Sequence, residues 1–386
     1  MLVWGQEGIM AATAQNMASP QRARGNEDPA DWLRLIRSRR IGPTTFHRLV
    51  AEHGSVAAAL AALPDIARAA GVEDYELCPM GVVVAEMNQG RAVGARLLLW
   101  GQDGYPAGLQ EIADAPPILW TQGNLDLLQR PMVALVGARN ASSLGLRMAR
   151  RLGEGLGAAG LVVVSGLARG VDAEAHQAAL FTGTVAVQAG GVDHIYPAEN
   201  TRLAQDIAEQ GCRISEQPMG TEPQTRHFPM RNRIISGLCR AVVVVEAATK
   251  SGSLITAEAA LEQGREVFAV PGHPFDARAA GCNRLIRDGA TLVRGAQDIL
   301  EALQIGQARR RVEDPVLAVV PDRRDFKDVT ALHNQILSRL GPSPLAEDQL
   351  IRDLDIPAAV VTPELVTLEL DGRILRESGG LVSRLS

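Results

Sequence analysis

From residue 131 onward, short apolar runs alternate with longer amphipathic ones. PMVALVGAR, LVVVSGLARG, TVAVQAGG, CRISEQP, AVVVVEA, EVFAVPG and ATLVRG are rich in Val, Ala and Ile, and most are separated by helical stretches. Continuous apolar strands with intervening helices predict a parallel sheet covered on both faces. The fold class is α/β, a Rossmann-like, doubly wound, mostly parallel sheet. RLLLW at 96–100 is read as one more strand, at an edge. Upstream, 29–72 has a helical pattern. Asp31-Trp32-Leu33 opens one helix, Ile41-Gly42-Pro43 turns, and Thr44 caps the next toward Val50. This reads equally as a SAM-like or helix-hairpin-helix module or as a plain helical bundle. At the other end LHNQILSRL, LAEDQLIRDL capped by Ser343, and ELVTLELDG opened by Thr362-Pro363 form three helices. RILRE and LVSRL then flank Ser378-Gly379-Gly380 as a hairpin, which completes a winged helix. The expected divisions are a disordered tail at 1–28, a helical domain at 29–95, the Rossmann-like domain at 96–303, a linker at 304–328 and the winged helix at 329–386.

Composition narrows the class. A chain of 386 residues, 46% of them hydrophobic, can build more than one core. No apolar run reaches the length of a membrane span. The first 25 residues lack a basic start, apolar stretch and cleavage site, so they read as a tail or a start placed too early. Cys78, Cys212, Cys239 and Cys282 are scattered without a CxxC, which suggests neither zinc nor a disulfide framework and an expected cytoplasmic location. The net charge of −5 argues against a simple basic DNA-binding protein. The distribution is uneven: residues 131–295 hold 17 Lys/Arg against 15 Asp/Glu, and residues 343–386 hold 4 against 8. The middle is therefore the candidate anion-binding region. The third helix of the winged helix carries Glu364, Glu369 and Asp371 and no cation, so it would repel phosphate and suits protein contact or regulation. Arg309-Arg310-Arg311 and Arg323-Arg324 in the linker read as a solvated tether.

The strand ends carry the chemistry. Gly137-Ala138-Arg139, Ser165-Gly166-Leu167-Ala168-Arg169-Gly170 and Gly190-Gly191 follow strands, and ligands of open α/β sheets bind beyond the strands' carboxyl ends. Lys250-Ser251-Gly252-Ser253 offers a cation, two hydroxyls and flexible backbone just before a helix, which is phosphate-binding chemistry. In RHFPMRNRIISGL, Arg231-Asn232-Arg233 reads as a cationic helix start, with Arg226-His227 just upstream. Cations belong at the other helix end unless an anion is held there. A dinucleotide is opposed, because the first turn, GARNAS, places an arginine where GxGxxG needs glycine. The P-loop is absent too. Asp172 and His176 share a helix face near Ser165, but no GxSxG elbow exists, and structural hydrogen bonding explains them more simply than a hydrolase. Asp193 and Tyr196 are read as a loop-stabilising turn and a packed ring. Successive phosphates of single-stranded nucleic acid remain, with Phe228, His227 or Tyr196 as the few stacking platforms in a chain only 3% aromatic.

Six ordered segments carry a family resemblance: VGARNASSLG (136–145), SGLARGVDAEAH (165–176), GTVAVQAGGVDHIYP (183–197), FPMRNRIISGL (228–238), SGSLITAEAALEQGREVFAVPG (251–272) and GCNRLIRDGA (281–290). Together with GYPAGLQEIADAPPILW (104–120) they resemble the DNA-processing protein A (Smf) family over roughly 100–295. The resemblance implies a single-stranded DNA-binding protein rather than an enzyme. Such a protein protects incoming strands in natural transformation, loads the RecA recombinase onto strands covered by single-strand-binding protein, and acts as a homodimer. It implies a DNA pocket at Arg139 and Lys250 to Ser253. The full candidate DNA-binding set is Arg139, Ser142, Ser165, Gly166, Arg169, His176, Arg226, Arg231, Asn232, Arg233, Lys250, Ser251, Gly252 and Ser253, with no catalytic residue, metal or cofactor. Ala279 stands where many relatives have serine, which removes one hydroxyl from a loop. Two alternatives stay open: a nucleotide hydrolase of the lysine-decarboxylase-like (LOG) group, whose PGGxGTxxE this chain does not match, and an assembly scaffold that never touches DNA. Apolar helices near 254–263 or 296–303 could supply a dimer seam, though core packing explains both.

Overall fold

The computed structural model describes residues 27–305, 326–340, 344–354, 356–377 and 380–385. The tail through residue 26, residues 306–325 of the linker, the Ser343 cap and the Ser378-Gly379 turn lie outside the described residues. The chain divides into two compact units between residues 308 and 309.

The larger unit is built on a nine-stranded sheet. Its strands are β1 (Arg96–Leu99), β2 (Ile118–Gly123), β3 (Met132–Val136), β4 (Val162–Ser165), β5 (Thr184–Val187), β6 (Cys212–Ser215), β7 (Ala241–Val244), β8 (Glu266–Ala269) and β9 (Thr291–Leu292). The order is β1-β2-β6-β5-β4-β3-β7-β8-β9. Strands β3 to β9 run parallel, whereas β2 is antiparallel to both β1 and β6. β2 is the one strand of this sheet that the apolar pattern did not single out. It joins the helical N-terminus to the sheet by pairing Thr121 with Ile214, far away in sequence.

Alternation along the strands sorts the core into two faces. Val133 and Leu135 of β3 face Leu152 and Leu156 of α6 (Ser143–Ala158), Val171 and Ala175 of α7 (Val171–Ala179), and Ile299 of α12 (Ala296–Ala302). Ala134 and Val136 face Ile234 and Ile235 of α9 (His227–Leu238), Leu254 and Ala257 of α10 (Gly252–Glu262), and Cys282 of α11 (Ala280–Arg287). α8 (Thr201–Gln210) covers Ala186 with Leu203, Ala204 and Ile207. Every one of these side chains is nearly or wholly buried. At 25 cal/mol per Å2, each buried Leu, Ile or Val contributes about 1.5–3 kcal/mol before its entropy cost.

The N-terminal helices α1 (Pro29–Arg37), α2 (Pro43–His53), α3 (Val56–Ala69) and α4 (Met80–Ala92) gather around Trp32, Leu35, Phe46 and Leu60. The same cluster contains Leu99, Ile118 and Trp120 of the sheet, so the helices and the β1–β2 edge share one core. Glu86 ties them further, pairing with Arg37 at 2.8 Å and accepting the Trp120 indole N–H at 2.7 Å. α1 begins two residues earlier than Asp31, because Asp28 accepts the Ala30 N–H as N-cap. α2 starts at Pro43 with Gly42 as its cap, which leaves Thr44 inside the first turn. A short helix, α5 (Ala107–Gln110), precedes β2.

The smaller unit contains α13 (Phe326–Arg339), α14 (Glu347–Leu354), α15 (Ala358–Leu370) and a three-stranded sheet in the order β10-β12-β11. These strands are β10 (Leu345–Ala346), β11 (Ile374–Glu377) and β12 (Leu381–Arg384). This is a winged helix with its hairpin where the sequence places it. α15 starts at Ala358, not at Pro363, because its buried face runs Val361, Leu365, Leu368. Glu364 is buried and accepts a hydrogen bond from His333 Nε2 at 2.8 Å, so it leaves the acidic face that the sequence suggests. Glu369 and Asp371 stay outside.

Candidate functional site

Strand order reverses between β3 and β7, and a cleft of about 610 Å3 opens beyond their carboxyl ends. That is where ligands of open α/β sheets bind. Three segments build it: the β3 exit at Gly137 to Asn140, the stretch from Ala248 into the first turns of α10, and the start of α9 at Phe228 and Pro229. Arg139 is exposed, and its guanidinium sits 5.1 Å from the Phe228 ring centroid, a cation–π contact. Lys250 is exposed as well, and neither cation forms an ion pair among the described residues. Beside Lys250, the first turn of α10 brings N–H groups without intrahelical acceptors. Ser251 Oγ takes the Ser253 N–H at 3.4 Å and meets the Ser253 hydroxyl at 2.8 Å.

Arg231 forms the floor. It is buried, and Nη1 donates to the Val187 carbonyl at 2.9 Å while Nε has no partner. Burial, partly opposed by Asp172 and reinforced by Arg139, lowers its guanidinium to about 10. It therefore remains a cation at neutral pH. Asp172 is held by the N–H groups of Gly166 at 3.1 Å and Ala168 at 3.4 Å. Burial raises its carboxyl, and Arg231 is the main opposing influence. Gly166 is required here, because a Cβ would collide with the Arg231 guanidinium. A smaller recess shares Arg139, Phe228 and Arg231 and adds Arg169 and Tyr196. Arg169 is exposed and only loosely paired with exposed Glu199 at 3.4 Å. Tyr196 is half-exposed rather than packed, its ring 5.9 Å from Phe228. Asp193 holds its loop by accepting the Gly220 N–H at 2.9 Å.

The cleft thus joins Arg139, Arg231, Asn232, Lys250, Ser251, Gly252 and Ser253, with Arg169 and Gly166 in the adjoining recess. Five sequence candidates are placed elsewhere. Arg231-Asn232-Arg233 is not a helix start: α9 begins at His227, with Pro229 inside the first turn. A helix turns 100° per residue, so the three side chains diverge. Asn232 reaches toward the Gly252 carbonyl at 3.4 Å, whereas Arg233 turns away and pairs with Glu216 at 2.5 Å and Asp114 at 3.2 Å. Arg226 stands exposed at the N-cap, its Nε 3.4 Å from His227. Ser165 is wholly buried and donates to the Leu135 carbonyl at 2.6 Å. His176 is wholly buried with both ring nitrogens engaged. Its Nε2 accepts the Leu167 N–H at 3.3 Å, and Nδ1 lies 2.7 Å from Thr184 Oγ1. The Thr184 hydroxyl donates to the Val163 carbonyl, so Nδ1 carries the proton. Burial, with a smaller push from Arg231, lowers this imidazole to about 3. Ser165 also interacts with the Asp172 carboxylate, but the His176 ring is taken up by the Leu167 N–H and Thr184, so the imidazole is not paired with either as a base in a hydrolase triad would be.

Ser142 is occupied by an internal partner. It caps α6 by accepting the Gly145 N–H at 3.0 Å, and its hydroxyl donates to Glu246 at 2.6 Å. Its own N–H also donates to Glu246, at 3.1 Å. The Glu246 carboxylate therefore fills the start of α6, where dinucleotide-binding sheets seat a pyrophosphate. Gly145 makes room for it. Sequence reasoning missed this role of Glu246, and it also missed Asn140 and Arg278, which line the cleft. Arg278 lies on the loop after β8, so the strand-end rule that found Arg139 could have found it.

A doubly wound sheet with a cationic cleft at its switch point, preceded by a helical module and accompanied by a winged helix, defines a modular α/β protein with a Rossmann-like central domain. A family model for DNA recombination-mediator protein A matches residues 96–304, one for the DprA-like N-terminal HHH domain matches 26–88, and one for the DprA winged helix domain matches 321–380. The chain belongs to the DNA recombination-mediator protein A (DprA/Smf) family. It is 50% identical to DNA processing protein DprA of Streptococcus pneumoniae over 200 residues, 51% of this chain and 71% of the relative. It is 40% identical to protein Smf of Escherichia coli over 288 residues, 72% of this chain and 74% of the relative. The X-ray structure of the S. pneumoniae protein superimposes with a TM-score of 0.61 at 39% identity, covering 70% of this chain and 97% of that one. The Helicobacter pylori protein, solved to describe its single-stranded DNA binding mode, gives 0.51 at 29% identity, covering 54% and 95%. No single helix among the described residues is long and apolar enough to cross a membrane.

Proposed function

We propose that the cleft binds single-stranded DNA, and that the protein is a non-enzymatic recombination mediator. In this reading it protects incoming strands during DNA uptake and loads a RecA-type recombinase onto strands held by single-strand-binding protein, working as a homodimer. The observation that carries the DNA part is the set of free cations at the switch point. Arg139 and Lys250 have no carboxylate partner among the described residues, Arg231 keeps its charge on the floor, and the first turn of α10 faces the same space. Unpaired cations around a fixed anion-binding helix terminus suit a phosphate chain. The family membership and the binding mode described for the H. pylori relative support the same reading.

The test is binding of labelled oligo-dT and of a matching duplex across a salt series, with Arg139→Ala and Lys250→Ala beside the wild type. Log K should fall with log salt by about 0.7 per neutralised phosphate. Tight single-strand binding, weak duplex binding and a shallower slope in each variant are expected. Variants indistinguishable from wild type would remove the cleft from the reading. Recombinase loading is then measured as strand exchange on DNA coated with single-strand-binding protein. Release of free base from nucleoside monophosphates would overturn the non-enzymatic part.

A further inference from the structure

The loop from Pro271 to Ala279 connects β8 to α11 and carries a feature the cleft alone does not use. Phe275 is 93% exposed, the most exposed large hydrophobic side chain among the described residues. The backbone beneath it is fixed. The Asp276 N–H donates to the His273 carbonyl at 2.9 Å, and the Ala279 N–H donates to the Asp276 carbonyl at 2.9 Å. The Asp276 carboxylate accepts the Arg278 N–H at 3.0 Å and its guanidinium at 3.1 Å. Asn283 clamps Gly272 through both its N–H and its carbonyl. The loop therefore holds the ring out in water rather than folding it inward. Its neighbour is the His273 ring, 5.6 Å away.

The position of this ring is what gives it meaning. Arg278 lines the cleft. Phe275 is three residues from it, within about 11 Å along the backbone even at full extension. Ile255, also exposed, is another apolar side chain that lines the cleft. The cationic floor of the cleft takes phosphates, and nothing charged on this loop repels a strand continuing outward, since Asp276 is neutralised by Arg278. Every base has a π-face, so a fixed, solvent-held aromatic ring beside a phosphate site suits stacking without sequence preference. We propose that this loop is a base-stacking arm of the site, with Phe275 the ring on which the nucleobase beside the cleft-bound phosphate lies. The inference rests on the single-stranded DNA reading and adds to it a contact to base rather than to backbone.

The experiment uses the full chain with oligo-dT and an abasic oligonucleotide of the same length, each across the salt series. Phe275→Ala should weaken oligo-dT binding about fivefold to a hundredfold. It should leave the salt slope unchanged, and its affinity for the abasic strand should match wild type. Phe275→Trp should keep the oligo-dT affinity and add emission that oligo-dT quenches and the abasic strand does not. Light scattering on Phe275→Ala accompanies both. Wild-type oligo-dT affinity in Phe275→Ala overturns the proposal, as does equal loss for both strands. A changed mass in Phe275→Ala would assign the ring to contact with a second copy instead. If wild type itself fails to bind oligo-dT, the underlying reading falls, whereas intact salt-dependent binding with an inert Phe275 removes only the stacking arm.

Discussion

Arg233 separates a DNA contact from a structural cation, and Arg233→Ala tests the distinction. Its side chain is 12% exposed and that of its partner Glu216 is 11% exposed. The second partner, Asp114, is 44% exposed and adds little. Removing one member of a buried pair leaves an uncompensated charge and costs about 3–5 kcal/mol. Arg37 still faces Glu216 and offsets part of this, so a loss near the lower end, about 3 kcal/mol, is expected. The cost depends on pH. Burial already raises the Glu216 carboxyl above the ordinary glutamate value, with Arg233 the largest opposing influence. Without Arg233 the folded value rises further. A carboxyl raised on folding favours the fold fully below its unfolded value and loses that contribution as pH rises through the folded value. The variant should therefore approach wild-type stability near pH 4.5 and fall away from it toward pH 8. Trp32, Trp100 and Trp120 belong to the described residues of the larger unit, so tryptophan emission in a urea titration reports on it. Oligo-dT affinity of the folded variant should stay within about twofold of wild type, since the side chain faces away from the cleft. A wild-type urea midpoint combined with lost oligo-dT binding would refute the placement of Arg233.

His176→Ala should cost about 2–4 kcal/mol, because it opens a cavity and strands the Leu167 N–H. The wild-type imidazole is depressed from 6.5 to about 3, so its contribution is present above pH 6.5 and lost as pH falls toward 3. The variant should show a flatter urea midpoint over that window. Gly166→Ala forces the Arg231 guanidinium aside and should cost about 1–3 kcal/mol while weakening oligo-dT binding. Gly295→Ala, with open space around its added methyl and extended backbone, is the control: it should match wild type in oligo-dT affinity and lose no more than about 1 kcal/mol of stability, since Gly295 is the N-cap of α12. A chain ending at Ala308 should keep its oligo-dT affinity, as the exposed acids of α15, Glu369 and Asp371, disfavour phosphate; a large loss in a gel-shift titration would assign DNA contact to the winged helix.

The parallel strands were legible because both their faces are buried, which writes them as runs such as VVVVE and VVVS with no competing periodicity. β2 was not, since its identity depends on antiparallel pairing with β6, and ILWTQG alone carries no sign of that partner. Pro363 reads as a helix start by its usual preference, yet the apolar face through Val361 and Leu365 continues across it. At the cleft, the glycine and arginine signals at the strand ends located the region. What they could not give was azimuth: Arg231 and Arg233 look alike in a string, and only the packed Glu216 and Asp172 separate them. The demotion of Ser142, Ser165 and His176 has the same cause, for each is used up by an internal partner 104, 30 and 8 residues away, respectively.

The Glu246 carboxylate at the start of α6 bears on competition inside a cell. Free nucleotides greatly outnumber transient single strands, and an open helix terminus in a Rossmann-like sheet would hold them. Here that terminus carries the chain's own anion, fastened by a hydroxyl and an amide of Ser142. A soluble nucleotide would have to displace a tethered carboxylate, whose effective concentration is far above its own. On the single-stranded DNA reading, the tethered carboxylate keeps a nucleotide out of the α6 terminus and leaves the cations of the neighbouring cleft to a strand held at several points.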